Sequence, residues 1–154
     1  MTSTLAERRR LARVRIGAST IHRLGLFAVT NLPEGTRILP YHGEKITKEE
    51  SARRVTAGNA YIFAFTARYD IDGQTPTNTA RYLNHSCAPN CYTLANLRTI
   101  WIVAGRDIVP GEELTYNYGY GPEEYTDYPC RCGATQCCGY MLDQRYWGYI
   151  RHDS

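Results

Sequence analysis

The chain has 154 residues, a formal net charge of +3 and 43% hydrophobic residues, enough for a single domain with a buried core and with no second domain required. No apolar run approaches the roughly 18 residues needed to cross a bilayer, and the opening Met-Thr-Ser-Thr-Leu-Ala-Glu-Arg-Arg-Arg lacks the apolar stretch of a secretory signal, so a membrane or exported protein is not expected. Six arginines (8, 9, 10, 13, 15 and 23) against Glu7 give the first 25 residues +5 and leave the remainder at −2, which argues against direct nucleic-acid binding outside a basic N-terminal arm.

Residues 5–13 suit a short basic helix whose apolar face is too thin to bury much, so a mobile arm is expected over residues 1–13. From Val14 onward, short β-prone runs alternate with glycine: 14–16, 25–29 and 37–39, with a turn at 31–35. Thr47, followed by Glu50, reads as a capping box opening a helix over about 48–56, which ends before Gly58. The run 61–66 alternates toward 69–72, a hairpin expected to turn at Asp72-Gly73. Residues 74–79 form a loop, 99–104 are the clearest strand, and 108–118 give a Pro-Gly turn and one more strand. Late acids (Glu112, Glu113, Glu123, Glu124, Asp127) form either a solvated face or a cleft for a basic peptide. A small apolar cluster, 140–142, precedes a helix-like tail.

The six cysteines are too sparse for a disulfide scaffold, and their grouping at 87/91 and 130–138 points to metal ligation in a reducing compartment. Cys130, Cys132 and Cys137 form a Cys-x-Cys-x4-Cys run in which Gly133 permits a backbone reversal, so three thiolates can converge on one ion. Structural zinc takes four ligands at about 2.3 Å. Cys138 adjoins Cys137 and is expected to point away, which leaves Cys87 or Cys91 for the fourth position. Both lie in Arg81-Tyr-Leu-Asn-His-Ser-Cys-Ala-Pro-Asn-Cys91, where an amide, an imidazole and a thiol are packed into one short segment.

Taken together, these stretches resemble the SET-domain protein lysine methyltransferases over about residues 16–141. The carriers, in family order, are His22-Arg-Leu-Gly-Leu-Phe-Ala28, Tyr41-His-Gly-Glu44, Tyr61-Ile-Phe63, Arg81–Asn90, Gly111–Tyr118 and the post-SET Cys130–Cys137. Each is weak alone, and six in order are specific. The resemblance implies a mainly β fold with short helices: small curled sheets, a C-terminal pseudoknot in which the last strand passes under the loop of Asn84-His85, and a zinc-bound post-SET segment. It implies a SET domain over 14–120, followed by the zinc segment and tail over 121–154. The departures are Arg23 in place of the first glycine of the cofactor turn, Ala64 after Tyr-Ile-Phe, Thr77 before Asn78, and no Cys-rich segment ahead of Ile16.

By resemblance, the activity is methyl transfer from S-adenosyl-L-methionine to a lysine of a basic protein such as a histone. The zinc ligands are then Cys87, Cys130, Cys132 and Cys137, with Cys91 and Cys138 as free thiols. Tyr118 matches the catalytic tyrosine, Tyr41 lines the lysine channel, and Tyr116 sets how many methyl groups fit, favouring mono- to dimethylation. His22, Arg23, Leu24, Tyr61, Arg81, Asn84 and His85 would hold the cofactor; His85 as a metal ligand or base is the lesser alternative. The chemistry suits the composition. Deprotonating a lysine at neutral pH costs about 4 kcal/mol, an apolar, hydroxyl-edged channel lowers that cost, and the chain has 13 tyrosines against three phenylalanines. The location implied is intracellular, cytoplasmic or nuclear. The competing readings are a non-catalytic SET-like zinc module that binds basic peptides, and a nucleic-acid-binding zinc ribbon.

Overall fold

The computed structural model describes residues 4–96 and 98–150; positions 1–3 of the expected arm and 151–154 of the expected tail lie outside them. Helix α1 (Leu5–Leu11) starts at Thr4, whose hydroxyl accepts from the Glu7 N–H at 3.2 Å. It buries no residue of its own, as its thin apolar face dictates. Yet it is not a free arm. It rests on strands β1 (Val14–Ala18) and β3 (Arg37–Tyr41), and the Arg10 guanidinium lies 4.8 Å from the centre of the Trp101 ring. A cation over an indole face, with the arginine stem covering apolar surface, supplies the contact that apolar periodicity could not reveal.

The glycine-punctuated runs become three small sheets. In the first, β2 (Leu24–Ala28) pairs antiparallel with β1 on one side and with β10 (Glu113–Tyr116) on the other, and β7 (Asn84–His85) closes the order β1-β2-β10-β7 by pairing parallel to β10. The second has β9 (Ile100–Ala104) at its centre, between β3 and β8 (Cys91–Ala95). In the third, β6 (Tyr69–Asp72) lies between β4 (Glu44–Thr47) and β5 (Ile62–Ala64). One core joins the first two sheets: Leu26, Ile38, Ile100, Ile102, Ile108 and Leu114 are each at most 1% exposed.

Helix α2 (Lys48–Thr56) begins where expected, with the Thr47 hydroxyl accepting from the Glu50 N–H. The reciprocal half of the capping box is absent, because the Glu50 carboxylate pairs with Arg53 and Arg54 instead. Arg54 also reaches Glu44 and the buried Asp72, so ion pairs rather than an apolar stripe tie this helix to the third sheet. The 61–72 hairpin differs from expectation in its corner. It turns over 66–68, where the Thr66 hydroxyl accepts from the N–H groups of Arg68 and Tyr69; Asp72-Gly73 instead ends β6, and a Cβ at Gly73 would strike the Tyr41 hydroxyl and the Asn78 amide. The tail forms a 3-10 helix over Gln144–Tyr149, with the Trp147 indole donating to the Leu142 carbonyl.

The pseudoknot centres on β10. This strand is hydrogen-bonded to β2 through Glu113 and Leu114 and to β7 through Thr115 and Tyr116. The Asn90 side chain replaces a further strand: its Nδ2 donates to the Glu113 carbonyl at 2.8 Å, and its Oδ1 accepts from the Thr115 N–H at 2.9 Å. Asn90 is 4% exposed. An amide can serve one backbone donor and one acceptor at once, which no aliphatic side chain can do. Asn90→Ala should therefore leave two inward backbone groups unpaired and cost about 3 kcal/mol, read as a lower urea midpoint with an unchanged slope; a loss below about 1 kcal/mol would show that the clamp is dispensable.

Candidate active site

The β1–β2 hairpin closes on itself where the Ser19 N–H donates to the Arg23 carbonyl at 3.1 Å. Arg23 takes φ 39°, the only positive value at a non-glycine residue in the described chain. The left-handed conformation that a glycine would hold is thus kept in its absence, with strain. His22, Arg23 and Leu24 are exposed on this turn, Leu24 by 46%.

Beneath it lies Asn84, buried at 6%. Its Nδ2 is 2.7 Å from a Glu113 carboxylate oxygen and 3.0 Å from the Leu24 carbonyl, with Ser19 Oγ and the His22 carbonyl farther off at 3.2 and 3.4 Å. Two hydrogens serve the two short contacts. The amide nitrogen therefore holds the turn, and Oδ1 is the side-chain atom left to offer a ligand. His85 is buried and its pKa is lowered to about 4 by desolvation, so it is neutral at physiological pH. Its Nδ1 accepts from the Tyr118 N–H at 3.1 Å, which places the ring hydrogen on Nε2.

The tyrosines form a continuous row. Ring centres run from Tyr41 to Phe63 (5.1 Å), Phe63 to Tyr116 (5.9 Å), Tyr116 to Tyr118 (4.9 Å), Tyr118 to Tyr120 (6.3 Å) and Tyr120 to Tyr128 (3.8 Å, stacked). β10 ends at Tyr116 and Tyr118 lies two residues beyond it, with their ring centres still 4.9 Å apart. Tyr118 is fastened to 83–85 three ways: N–H to His85 Nδ1, hydroxyl to the Leu83 carbonyl at 2.8 Å, and ring edge to the His85 imidazole at 5.4 Å. The Tyr41 hydroxyl donates to the Tyr61 carbonyl at 2.8 Å. Burial pushes the phenols of Tyr41, Tyr116 and Tyr118 well above their ordinary range. All three stay protonated, as donors rather than bases.

Arg81 is held between two rings, its guanidinium 5.0 Å from the centres of Tyr61 and Tyr82, with one terminal nitrogen on the Gln74 carbonyl. It braces the Tyr61 wall, and its Nε is buried without a partner among the described residues.

Cys87, Cys130, Cys132 and Cys137 bring their sulfurs within 4.8 Å of one another. Cys87 Sγ is 3.8 Å from Cys130 Sγ and 3.7 Å from Cys137 Sγ. Four sulfurs at about 2.3 Å from a tetrahedral ion stand about 3.8 Å apart, so the cluster has dimensions that could hold zinc. Backbone N–H groups of Cys87, Cys132 and Gly139 point at the sulfurs of Cys132, Cys130 and Cys137. At Cys132 burial opposes ionisation, but the N–H groups of Cys87 and Ala134 and the neighbouring Cys130 and Cys137 thiols outweigh it and bring the thiol down to about 6, whereas burial pushes Cys87 and Cys130 up. Gly133 at φ 70° makes the reversal between Cys132 and Cys137. Cys138 does not point away: its sulfur is 3.8 Å from that of Cys87 and donates to the Tyr140 carbonyl. Cys91 is buried away in β8.

Asn84 and His85 thus lie with the 22–24 turn and beside Tyr118, Tyr41, Tyr116 and Tyr118 lie in the tyrosine row, and Cys87, Cys130, Cys132 and Cys137 form a separate cluster of sulfurs. Two residues escaped: Ser19 and Glu113, which connect the turn to β10. Glu113 reads as one acid of a surface run, and its signal, a carboxylate on an inward strand position, needs the register to be recognised. Its neighbour Glu112 pairs with Arg106.

Residues 23–119 match the family model described as SET domain. The chain is 40% identical over 142 residues to a Schizosaccharomyces pombe protein named histone-lysine N-methyltransferase, H3 lysine-4 specific, covering 86% of this chain and 15% of that protein. It is 36% identical over 145 residues to histone-lysine N-methyltransferase set1 of Dictyostelium discoideum, covering 88% and 10%. It is 34% identical over 138 residues to histone-lysine N-methyltransferase set-2 of Caenorhabditis elegans, covering 83% and 9%. The chain therefore spans 15% or less of the length of these relatives.

The strain at Arg23 gives a direct test of the turn. Relief of a left-handed non-glycine residue is worth about 1–2 kcal/mol, against about 0.5–1 kcal/mol of added unfolded-chain entropy. Arg23→Gly should be neutral or stabilising by up to about 1.5 kcal/mol, whereas Arg23→Val, whose branched Cβ resists positive φ, should destabilise by about 1–2 kcal/mol. Urea titration of the two variants checks the order.

Proposed function

The chain belongs to the SET-domain family, and on that premise we propose that it is a protein-lysine N-methyltransferase, using S-adenosyl-L-methionine and acting on a histone tail. The observation that carries the reading is the position of Tyr118, fixed by three contacts to 83–85 at the point where the exposed turn meets the tyrosine row. The H3 lysine-4 specificity in the name of the Schizosaccharomyces pombe relative makes the lysine-4 region of histone H3 the first substrate to test, and a histone substrate implies a nuclear site of action. Among the described residues no helix is long and apolar enough to cross a membrane.

The residues fit the cofactor in kind. His22, Arg23 and Leu24 present an exposed, partly apolar shelf held to Asn84 through the His22 and Leu24 carbonyls, and Tyr61 offers an aromatic face braced by Arg81. S-adenosyl-L-methionine, when bound, supplies a methyl group on a positively charged sulfur, whose S–CH3 bond breaks as the N–CH3 bond to lysine forms. The tyrosine row does the rest. Its buried aromatic walls exclude water and disfavour the ammonium, so the lysine enters the reaction after losing a proton to solvent. The Tyr118 hydroxyl, kept protonated by burial and donating its hydrogen to the Leu83 carbonyl, turns its oxygen lone pairs to the site, where they accept an N–H of the amine and face the positive charge on sulfur. Tyr41, its own hydroxyl committed to Tyr61, forms the channel wall. Tyr116, between Phe63 and Tyr118, fills space that a second or third methyl group needs, so the first transfer is fastest.

Transfer of labelled methyl from S-adenosyl-L-methionine to an H3 peptide tests the reading, and absence of transfer to any histone or lysate protein would overturn it. Tyr118→Phe should cut kcat at least about tenfold with little change in KM, as for a group acting mainly in the transition state. Tyr116→Phe should move the product, read by intact mass, from mono- and dimethyl toward trimethyl-lysine.

Zinc bound by Cys87, Cys130, Cys132 and Cys137 would tie the C-terminal segment to the loop two residues after His85, closing the site from that side. Elemental analysis of freshly reduced protein should find one zinc per chain. Its removal by a chelator should abolish methyl transfer while the strand signal in circular dichroism persists, because the three sheets do not depend on the cluster. Metal-free protein with full activity would refute the assignment.

A further inference from the structure

Glu113 is a carboxylate on β10 with no part in the chemistry above, and it is not a surface acid. One oxygen accepts from the Asn84 amide at 2.7 Å, and the pair of oxygens receives the Ser19 hydroxyl at 2.8 and 2.9 Å. Ser19 Oγ in turn accepts from the N–H of Ile21 at 3.0 Å and, more weakly, of His22 at 3.4 Å. The carboxylate lies over Gly25, where any Cβ would collide with it. Glycine at 25 thus leaves room for Glu113 to lie in this position.

From this arrangement we infer that Glu113, acting with Ser19, is a positioning residue for cofactor binding: one carboxylate orients both walls of the cofactor site, the turn 19–24 through Ser19 and the Asn84 side chain directly. The inference rests on the methyltransferase reading and adds to it. The physical reason is acceptor geometry. Asn84 Nδ2 has two hydrogens, one used on Leu24 and one on Glu113; an ionised carboxylate is acceptor-only and can take the Asn84 and Ser19 donors together. Without it the Asn84 amide keeps only the Leu24 carbonyl and the longer contacts to Ser19 and His22, so Oδ1 is held less firmly in its direction toward a ligand. The turn also loses its anchor to β10, and the strained Arg23 conformation loses part of what holds it.

The test compares Glu113→Ala, Glu113→Gln and Ser19→Ala with the unmutated chain. Titration calorimetry reads the S-adenosyl-L-methionine affinity, steady-state assays read kcat and both KM values, and trypsin cleavage after Arg23 reads the order of the turn. Glu113→Ala should weaken the cofactor about tenfold, the size of one charged hydrogen-bond system lost, and raise its KM alike. kcat at saturating cofactor and the peptide KM should stay within about twofold. Glu113→Gln, which can still accept from Asn84 while its amide donates to Ser19 Oγ, should recover most of the affinity. Ser19→Ala, a one-atom change that spares the core, should weaken the cofactor about threefold and speed cleavage after Arg23. It decides the question if Glu113→Ala fails to fold.

Unmutated protein that binds the cofactor while folded Ser19→Ala and Glu113→Ala bind it equally well would overturn the inference and leave the methyltransferase reading intact. A fall in kcat with unchanged affinity would overturn it as well. Failure of the unmutated chain to bind S-adenosyl-L-methionine would instead refute that reading, and the inference with it.

Discussion

The structure depends on one constraint: the four residues of β10 must be satisfied from all sides while lying beneath another part of the chain. β2 takes the N-terminal half of the strand, β7 the C-terminal half, and the Asn90 side chain fills the position where no strand is available. A backbone buried this way has no water to fall back on, so each N–H and C=O must find a protein partner. That requirement fixes the 84–91 segment around the strand. It thereby brings Asn84, His85, Cys87 and Asn90, residues of one loop, onto four different tasks within a few ångströms.

Two consequences follow for chemistry. The end of β10 delivers Tyr116 and Tyr118 into an aromatic row built by β3, β5 and the C-terminal segment, a region dry enough to push phenol pKa values upward and neutralise an imidazole. On the opposite side, the same strand presents Glu113 to the β1–β2 turn. Polar orientation on one flank and apolar exclusion on the other therefore share one rigid element.

The sulfur cluster is the second tether. Three of its members are close in sequence and the fourth comes from the loop that follows β7, so an ion held there would link the C-terminal segment to that loop. Peripheral elements are held by weaker and more local means. α1 relies on a cation over an indole, and α2 on Arg54 among three carboxylates.

What the sequence determined by itself are the features whose physics is local. The Thr47 cap, the glycine-bounded strands, the Gly133 reversal between thiols, and the motif order across residues 22–137 are all readable from neighbours in the chain. Those motifs also carried the list of site residues. What only the tertiary structure decided are the partners. Asn84 looks like a ligand-holding amide, yet its nitrogen serves Leu24 and Glu113. Cys138 looks averted, yet its sulfur touches that of Cys87. The 61–72 hairpin turns at 66–68 because Thr66 can accept two N–H groups there, whereas Gly73 is needed for the close approach of Tyr41. In each case the deciding atom is distant in sequence or its role is set by packing, and a donor's choice among acceptors is made by distance in space, which the order of residues does not contain.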